Sequence, residues 1–467
     1  MSFKIENAVV IGSGVMGAGI VAHLANCGIE VLLLDILPPE LTASDKEQGL
    51  TEASPEWRNQ LSINALNKLL KSRRPVFTSE ESFARVKVGN LVDDLPKVAD
   101  YDWILETIIE KLEIKRPLFA KIEKLRRPDS IVTTNTSGLP IKQITAGMTN
   151  EFKQHFMGTH FFNPPTYIRL LEIIPGVETL PEAVEFMKTF LTDRLAKDVL
   201  ICKDTPNFIA NRMGAATSLN AMHLAARMGM RIEEVDALCG HAMARLRTAV
   251  FRSSDAIGLD TNFNVTSNLY ANVPNDERRD IFQYPKYAER MIEKGLLGAK
   301  VGQGYYKTVV NEDGSTKEMV LDLDTLEYRE KITPDFPCLK AAEKLDNPAD
   351  RLKVLVSDKN DRGSLFAWEV VASDLIYAAN RVLEICDTIM DIDNAMSWGY
   401  FWRLTPFQAW DSLGVKETVA RMKEEGKPVP ERIETMLAKG CDSFYKEIDG
   451  TRCYYDFRTE SYQPINS

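Results

Sequence analysis

Long apolar runs, a surplus of positive charge and paired cysteines are all missing from this 467-residue chain. No apolar stretch approaches the ~18 residues that a membrane-crossing helix needs, so no helical span is expected. Acidic residues outnumber basic ones by 67 to 57, a formal net charge of −10. That balance leaves no overall electrostatic footprint for nucleic acid or anionic lipid, and any polyanionic ligand must be held by local groups. The seven cysteines are odd in number, widely spaced and never in a C-x-x-C pair. This favours reduced thiols in a cytoplasmic protein over disulfides or a zinc site. Histidines number only five, and none has ligand spacing to another histidine or cysteine, so no metal is expected. The opening residues, MSFKIENAVVIG, lack the charged n-region and cleavage site of a signal peptide and enter a strand almost at once.

What is present begins with AVVIGSGVMGAGIVAHLANCGIEVLLLD, residues 8–35. It reads as strand, glycine turn, helix and second strand. Gly12-x-Gly14-x-x-Gly17 matches the dinucleotide fingerprint: Gly12 for a tight turn, Gly14 for close approach of a pyrophosphate, Gly17 for helix packing. The second strand ends at Asp35, whose carboxylate can accept hydrogen bonds from an adenosine ribose. Ile36 follows and no arginine is adjacent, so a 2′-phosphate is repelled and NAD is preferred over NADP. DWILET (102–107) and SIVTTN (130–135) read as further buried strands, separated by a helix at about 111–126. That alternation predicts a doubly wound parallel sheet. A long insertion, 38–95, interrupts it. Within the insertion an amphipathic helix ends in Lys68, Lys71, Arg73 and Arg74. Most such charge runs are solvated faces, but against the overall acidity this one is the candidate for a phosphate-bearing substrate tail.

GTHFFNPPTYIRLLEIIPG, residues 158–176, sets two titratable groups in an apolar and aromatic background. Pro164 and Pro165 force a turn, which puts His160 and Glu172 on neighbouring strands. Oxidising a secondary alcohol requires loss of a hydride from carbon and of a proton from oxygen. Neutral imidazole suits the second task, and a carboxylate on its far nitrogen fixes the tautomer and stabilises the imidazolium that forms.

Six segments then coincide in order over roughly residues 5–307: IGSGVMGAGIVAHLANCG, ETIIEKLEIK, NTSGLPI, GTHFFNPP with LLEIIPG, KDTPNFIANR and GAKVGQGYYK. Together they resemble the L-3-hydroxyacyl-CoA dehydrogenases of fatty acid β-oxidation. The chain looks most like the dehydrogenase part of bacterial multifunctional enzymes in which it precedes an enoyl-CoA hydratase domain, and no hydratase domain lies in these residues. The resemblance implies an α/β Rossmann domain followed by mainly helical domains like those of 6-phosphogluconate dehydrogenase. It implies His160 as catalytic base and Glu172 as its partner, with Ser137 and Asn211 beside the reacting oxygen. Glu110, Lys115 and Asn163 would line the nicotinamide-ribose region, and Lys300 would contact the cofactor. Implied partners are an acyl-CoA substrate and, covalently or not, a hydratase domain and a thiolase. Positions that contact CoA match poorly in the insertion. A relative acting on a free hydroxy acid, and a non-catalytic scaffold, are the competing readings; loss of His160, Glu172 or the glycine turn would mark the latter, and all three are intact.

The second half carries an internal repeat. Arg247-x-x-x-Phe251-x-x-x-Asp255-x-x-Gly258-Leu259 recurs as Arg403-x-x-x-Phe407-x-x-x-Asp411-x-x-Gly414-Val415, 156 residues later. The expected organisation is therefore an NAD-binding domain at 1–203, a helical domain at 204–307, a connector at 308–350 and a degenerate second helical domain at 351–467. The second copy has Ala367 and Trp368 where Asn211 would fall, and it lacks the G-x-K-x-G loop around Lys300.

Overall fold

A computed structural model describes residues 3–72 and 76–465. It divides into two units, 1–208 and 209–467. In the first unit β1 (Asn7–Ile11), β2 (Glu30–Asp35), β3 (Val86–Asn90), β4 (Trp103–Glu106), β5 (Ile131–Thr134), β6 (Phe156–Phe161), β7 (Leu170–Pro175) and β8 (Asp198–Ile201) form one sheet in the order β3-β2-β1-β4-β5-β6-β7-β8. Every neighbouring pair is parallel except β6 with β7. Strands covered on both faces read as continuous apolar runs rather than alternation, and Val9, Val10, Ile104, Leu105, Val132 and Ile173 are fully buried.

Helix α1 (Val15–Asn26) follows the glycine turn, α2 (Gln60–Leu70) lies in the insertion, and α3 (Leu112–Leu125) buries Leu118, Phe119 and Ile122. Two expectations need correction here. The 38–95 insertion is not outside the sheet: it ends in β3, which pairs with β2. VKVGN escapes notice because it is a short edge strand, carrying a lysine and a glycine and buried only at its last two residues. The amphipathic helix before Lys71 is also broken at Asn59, leaving a short turn of helix at Pro55–Arg58 ahead of α2. Arg73 and Arg74 lie outside the described residues.

The second unit starts with α4 (Ala210–Met228), buried nearly all round and stopped by Gly229 in the left-handed conformation (φ 61°). It packs against α7 (Arg362–Arg381). Between them in sequence come α5 (Ile232–Cys239), α6 (Phe251–Ile257) and a meander of β9 (Tyr306–Val310), β10 (Thr316–Leu321) and β11 (Tyr328–Glu330). After α7 come α8 (Ile389–Tyr400), α9 (Pro406–Leu413) and a second meander, β12 (Tyr445–Ile448), β13 (Thr451–Asp456) and β14 (Ser461–Pro464). The segment read as a connector thus begins in the first meander, and the helical half carries two small sheets.

Both halves of this unit use the same hydrogen bonds. Asp255 accepts from the Tyr305 and Tyr306 amides at 2.8 and 2.9 Å, and Asp411 accepts from Phe444 and Tyr445 at 2.6 and 2.8 Å. Asp236 accepts from the Phe251 amide and the Tyr306 hydroxyl, each at 2.8 Å. Asp393 accepts from the Phe407 amide at 3.0 Å and the Tyr445 hydroxyl at 2.8 Å. In each half the aspartates tie a helix start to the first strand of the meander. The repeated aspartates Asp255 and Asp411 owe their recurrence to that task.

Candidate active site

The carboxyl ends of β1, β2 and β4 make the first part of the site. Gly12 has φ 105°, and a Cβ there would press on the Thr107 backbone at 3.0 Å. A Cβ on Gly17 would lie 1.8 Å from the Gly12 carbonyl, so the helix packs this close only without one. At Gly14, by contrast, a Cβ would meet nothing within 4 Å. That open face, at the start of α1, is where a phosphate can reach the backbone amides. Asp35 Oδ2 accepts from the Ser13 amide at 2.7 Å and from the Ser13 hydroxyl, and Oδ1 accepts from Ile36. A pocket of about 490 Å³ opens here, walled by Gly12, Asp35, Ile36, Leu91, Leu95 and Ile108. An apolar slot beside a carboxylate and an open glycine turn fits an adenosine diphosphate moiety. Replacing Asp35 by asparagine should weaken NAD binding about tenfold or more, the worth of a charge-assisted hydrogen bond. Titration of NADH fluorescence checks it; an unchanged Kd would remove Asp35 from the site.

His160 and Glu172 face each other across the one antiparallel pairing of the sheet. The imidazole Nδ1 lies 2.7 Å from Glu172 Oε2, with His160 3% and Glu172 0% exposed. Phe162 and Phe208 pack on the ring at 4.4 and 5.6 Å between centroids. The proline turn is anchored from below by Lys197, which donates to the carbonyls of Pro165 and Ile168. Burial pushes that amine down to about 8. Gly19 of α1 lets Pro165 come close, since a Cβ there would sit 2.9 Å from the proline ring. The glycine helix and the histidine turn are therefore packed directly on one another.

The NTS turn is held by Glu110, whose carboxylate accepts from the Thr136 hydroxyl and from the Ser137 amide at 2.8 Å. Asn135 accepts from the Phe161 amide at 2.8 Å, which ties the end of β5 to the strand bearing His160. Lys115 is 1% exposed and bridges Glu106 at 2.7 Å and Glu110 at 3.2 Å. Burial raises the Glu110 carboxyl, but Lys115, Thr136 and Ser137 outweigh it and hold it below the usual range. Ser137 is half-buried and Asn163 exposed at the start of the turn. Glu110 and Lys115 thus meet each other, and their visible contacts organise the loop around Ser137.

A family model described as the 3-hydroxyacyl-CoA dehydrogenase NAD binding domain matches residues 7–205, and the C-terminal domain model of the same dehydrogenases matches 208–308. A probable 3-hydroxyacyl-CoA dehydrogenase of Deinococcus radiodurans is 40% identical over 309 residues, 66% of this chain and 84% of that one. The chain belongs to the 3-hydroxyacyl-CoA dehydrogenase family. Its first unit is accordingly an NAD-binding domain. Within the family, a probable 3-hydroxyacyl-CoA dehydrogenase of Bacillus subtilis is 42% identical over 458 residues, 98% of this chain but 57% of that one. A fatty acid oxidation complex trifunctional enzyme of Rickettsia prowazekii is 32% identical over 87% of this chain and 53% of its own length. The chain spans little more than half of these two relatives. In fold, it is similar to a 3-hydroxybutyryl-CoA dehydrogenase from Escherichia coli, with TM-score 0.63 and 22% identity over 94% of this chain and all of that one.

Asn211 and Lys300 belong to the second unit. There Lys300 pairs with Asp260, and Asn211 Oδ1 accepts from Tyr400 at 3.3 Å. Tyr400 packs so closely that a Cβ on Gly214 would fall 2.2 Å from its hydroxyl. Lys68 and Lys71 are exposed at the end of α2. Sequence reasoning missed Lys197, Asn135 and the apolar pocket wall. The apolar wall comes together only in the fold, from Ile36, Leu91, Leu95 and Ile108, and carries no local sequence signal.

Proposed function

We propose that the chain catalyses the NAD-dependent, reversible oxidation of L-3-hydroxyacyl-CoA to 3-ketoacyl-CoA in fatty acid β-oxidation, with His160 as the proton-exchanging group. The observation that carries this reading is the buried 2.7 Å contact of His160 Nδ1 with Glu172. With Nδ1 donating to the carboxylate, Nε2 is the acceptor, and it takes the proton of the 3-hydroxyl. Bound NAD supplies the acceptor for the hydride that leaves C3. Glu172 stabilises the imidazolium that results, and in the reverse direction that imidazolium returns the proton to the carbonyl oxygen. Ser137 and Asn211 hold the substrate oxygen, restricting it to poses from which transfer occurs. Lys68 and Lys71, with Arg73 and Arg74, attract the phosphorylated CoA tail. Residues 351–467 are a second copy of the 204–307 domain that has lost its chemistry: at the 156-residue offset Ala367 stands where the first copy carries Asn211, and the neighbouring Trp368 is buried and bonded to Glu425. Association with an enoyl-CoA hydratase domain and a thiolase belongs to the same reading.

The test is loss of NADH absorbance with acetoacetyl-CoA, with longer 3-ketoacyl-CoA substrates and with free acetoacetate. Turnover of the thioesters alone is expected. Activity on free acetoacetate only would replace the reading by a free hydroxy acid dehydrogenase, and activity on none would overturn it.

A further inference from the structure

The two arginines that open the repeated motif take no part in the aspartate ties, yet they come together. Arg247 and Arg403 both line one pocket of about 690 Å³ in the second unit, with His241, Arg245, Phe401 and Trp402. Both are exposed. Neither has an ion-pair partner among the described residues. Arg245 is different: it pairs with Asp374 at 2.6 Å and lies over the Trp402 ring at 3.7 Å. Behind His241 stands a further guanidinium, Arg351, only 3% exposed. Its Nη1 is 2.8 Å from His241 Nε2, while its Nε and Nη2 are buried without an acceptor.

Arginine nitrogens are all donors, so His241 Nε2 accepts and the imidazole is neutral, with its proton on Nδ1. Burial, then Arg351, Arg247 and Arg403, hold His241 below the ordinary histidine range, with Glu343 opposing. Three guanidiniums, Arg245, Arg247 and Arg403, thus line one pocket, with Arg351 behind His241, in a chain of net charge −10. Two exposed guanidiniums without an ion-pair partner among the described residues, facing one pocket, suit an anion, because the planar fork of arginine matches phosphate oxygens. The pocket also holds an aromatic face. Phe401 is 43% exposed and caps the end of α8 in the left-handed conformation (φ 56°).

We propose that this pocket is an adenosine phosphate site, in which Arg247 and Arg403 take phosphate oxygens and Phe401 stacks on the base. The duplication explains its construction, since one ancestral arginine, copied, supplies both arms. The ligand is either a free adenine nucleotide or the 3′-phosphorylated ADP tail of a CoA thioester, in which case this pocket takes the place of the Lys68 and Lys71 patch, and the chemistry is shared.

Calorimetric titration of the full chain tests this with adenosine 3′,5′-bisphosphate and with inorganic pyrophosphate, each read as the difference from the R247Q/R403Q variant so that binding at the dinucleotide site cancels. Both are expected to bind. The R247Q/R403Q double variant should weaken both at least tenfold, and R247K/R403K, which keeps the charge, should weaken them less. F401A should weaken the adenosine probe but not pyrophosphate. A raised KM for acetoacetyl-CoA in the double variant, with that for acetoacetyl-pantetheine unchanged, assigns the site to the CoA tail. Weakened adenosine binding with both KM values unchanged assigns it to a free nucleotide. No binding of either probe, or equal binding to the R247Q/R403Q variant, overturns the proposal. The titrations need no turnover, so they stand apart from the success or failure of the dehydrogenase reading.

Discussion

Alanine at His160 is expected to lower kcat for acetoacetyl-CoA reduction by roughly 10²–10⁴-fold, the usual worth of a positioned general acid–base. NADH affinity should stay within about twofold, because the dinucleotide residues are carried by β1, β2 and α1. The imidazole is buried between two aromatic rings, so some of the loss could come from collapse of the site rather than loss of the base. Glu172→Gln separates these causes. It preserves the side-chain shape opposite His160, yet the amide can hold the wrong tautomer and cannot stabilise an imidazolium. A comparable fall in kcat with unchanged NADH Kd is expected. If either variant retained most of its turnover, proton exchange would have to be assigned to another group.

That pair was legible in the sequence because two prolines interrupt an apolar run and fix where the chain must reverse. The glycine turn and Asp35 were legible for a similar reason: each needs a residue type at a defined spacing from a strand end. Local signals of this kind survive without knowledge of the partner. β3 did not survive, since a short edge strand with one buried end carries little periodicity. Nor did Lys197, a basic residue whose burial depends on the turn it supports from 29 to 32 residues away in sequence. The repeat was visible as spacing, but its meaning was not. Asp255 and Asp411 proved to be ties between helix and meander, whereas Arg247 and Arg403 meet in a pocket that no linear pattern announces.

Replacement of Lys115 by methionine should produce the largest loss of stability among single changes near the site. Lys115 and Glu106 are 1% and 0% exposed and 2.7 Å apart. Removing one partner of such a pair leaves an uncompensated buried charge and costs about 3–5 kcal/mol. In a unit of this size that corresponds to a fall in Tm on the order of 10 °C. The pH dependence identifies the cause. Burial already raises the Glu106 carboxyl above its ordinary range, against the pull of Lys115 and Thr134. A carboxyl with a higher pKa folded than unfolded keeps its proton longer in the folded state. The stability tied to it is therefore full in acid and lost as pH rises through the folded value. Without Lys115 that folded value climbs further, so the deficit of the variant should be small near pH 5 and large near pH 8. Thermal melts at the two pH values check this, and the double variant Glu106→Gln with Lys115→Met should recover much of the loss. A deficit independent of pH, or a double variant no better than the single, would mean that packing around the lysine stem rather than its charge holds β4 to α3. Because Lys115 also reaches Glu110, which fixes the Ser137 turn, the double variant should regain much of its stability yet bind substrate more weakly, with KM rising before kcat falls.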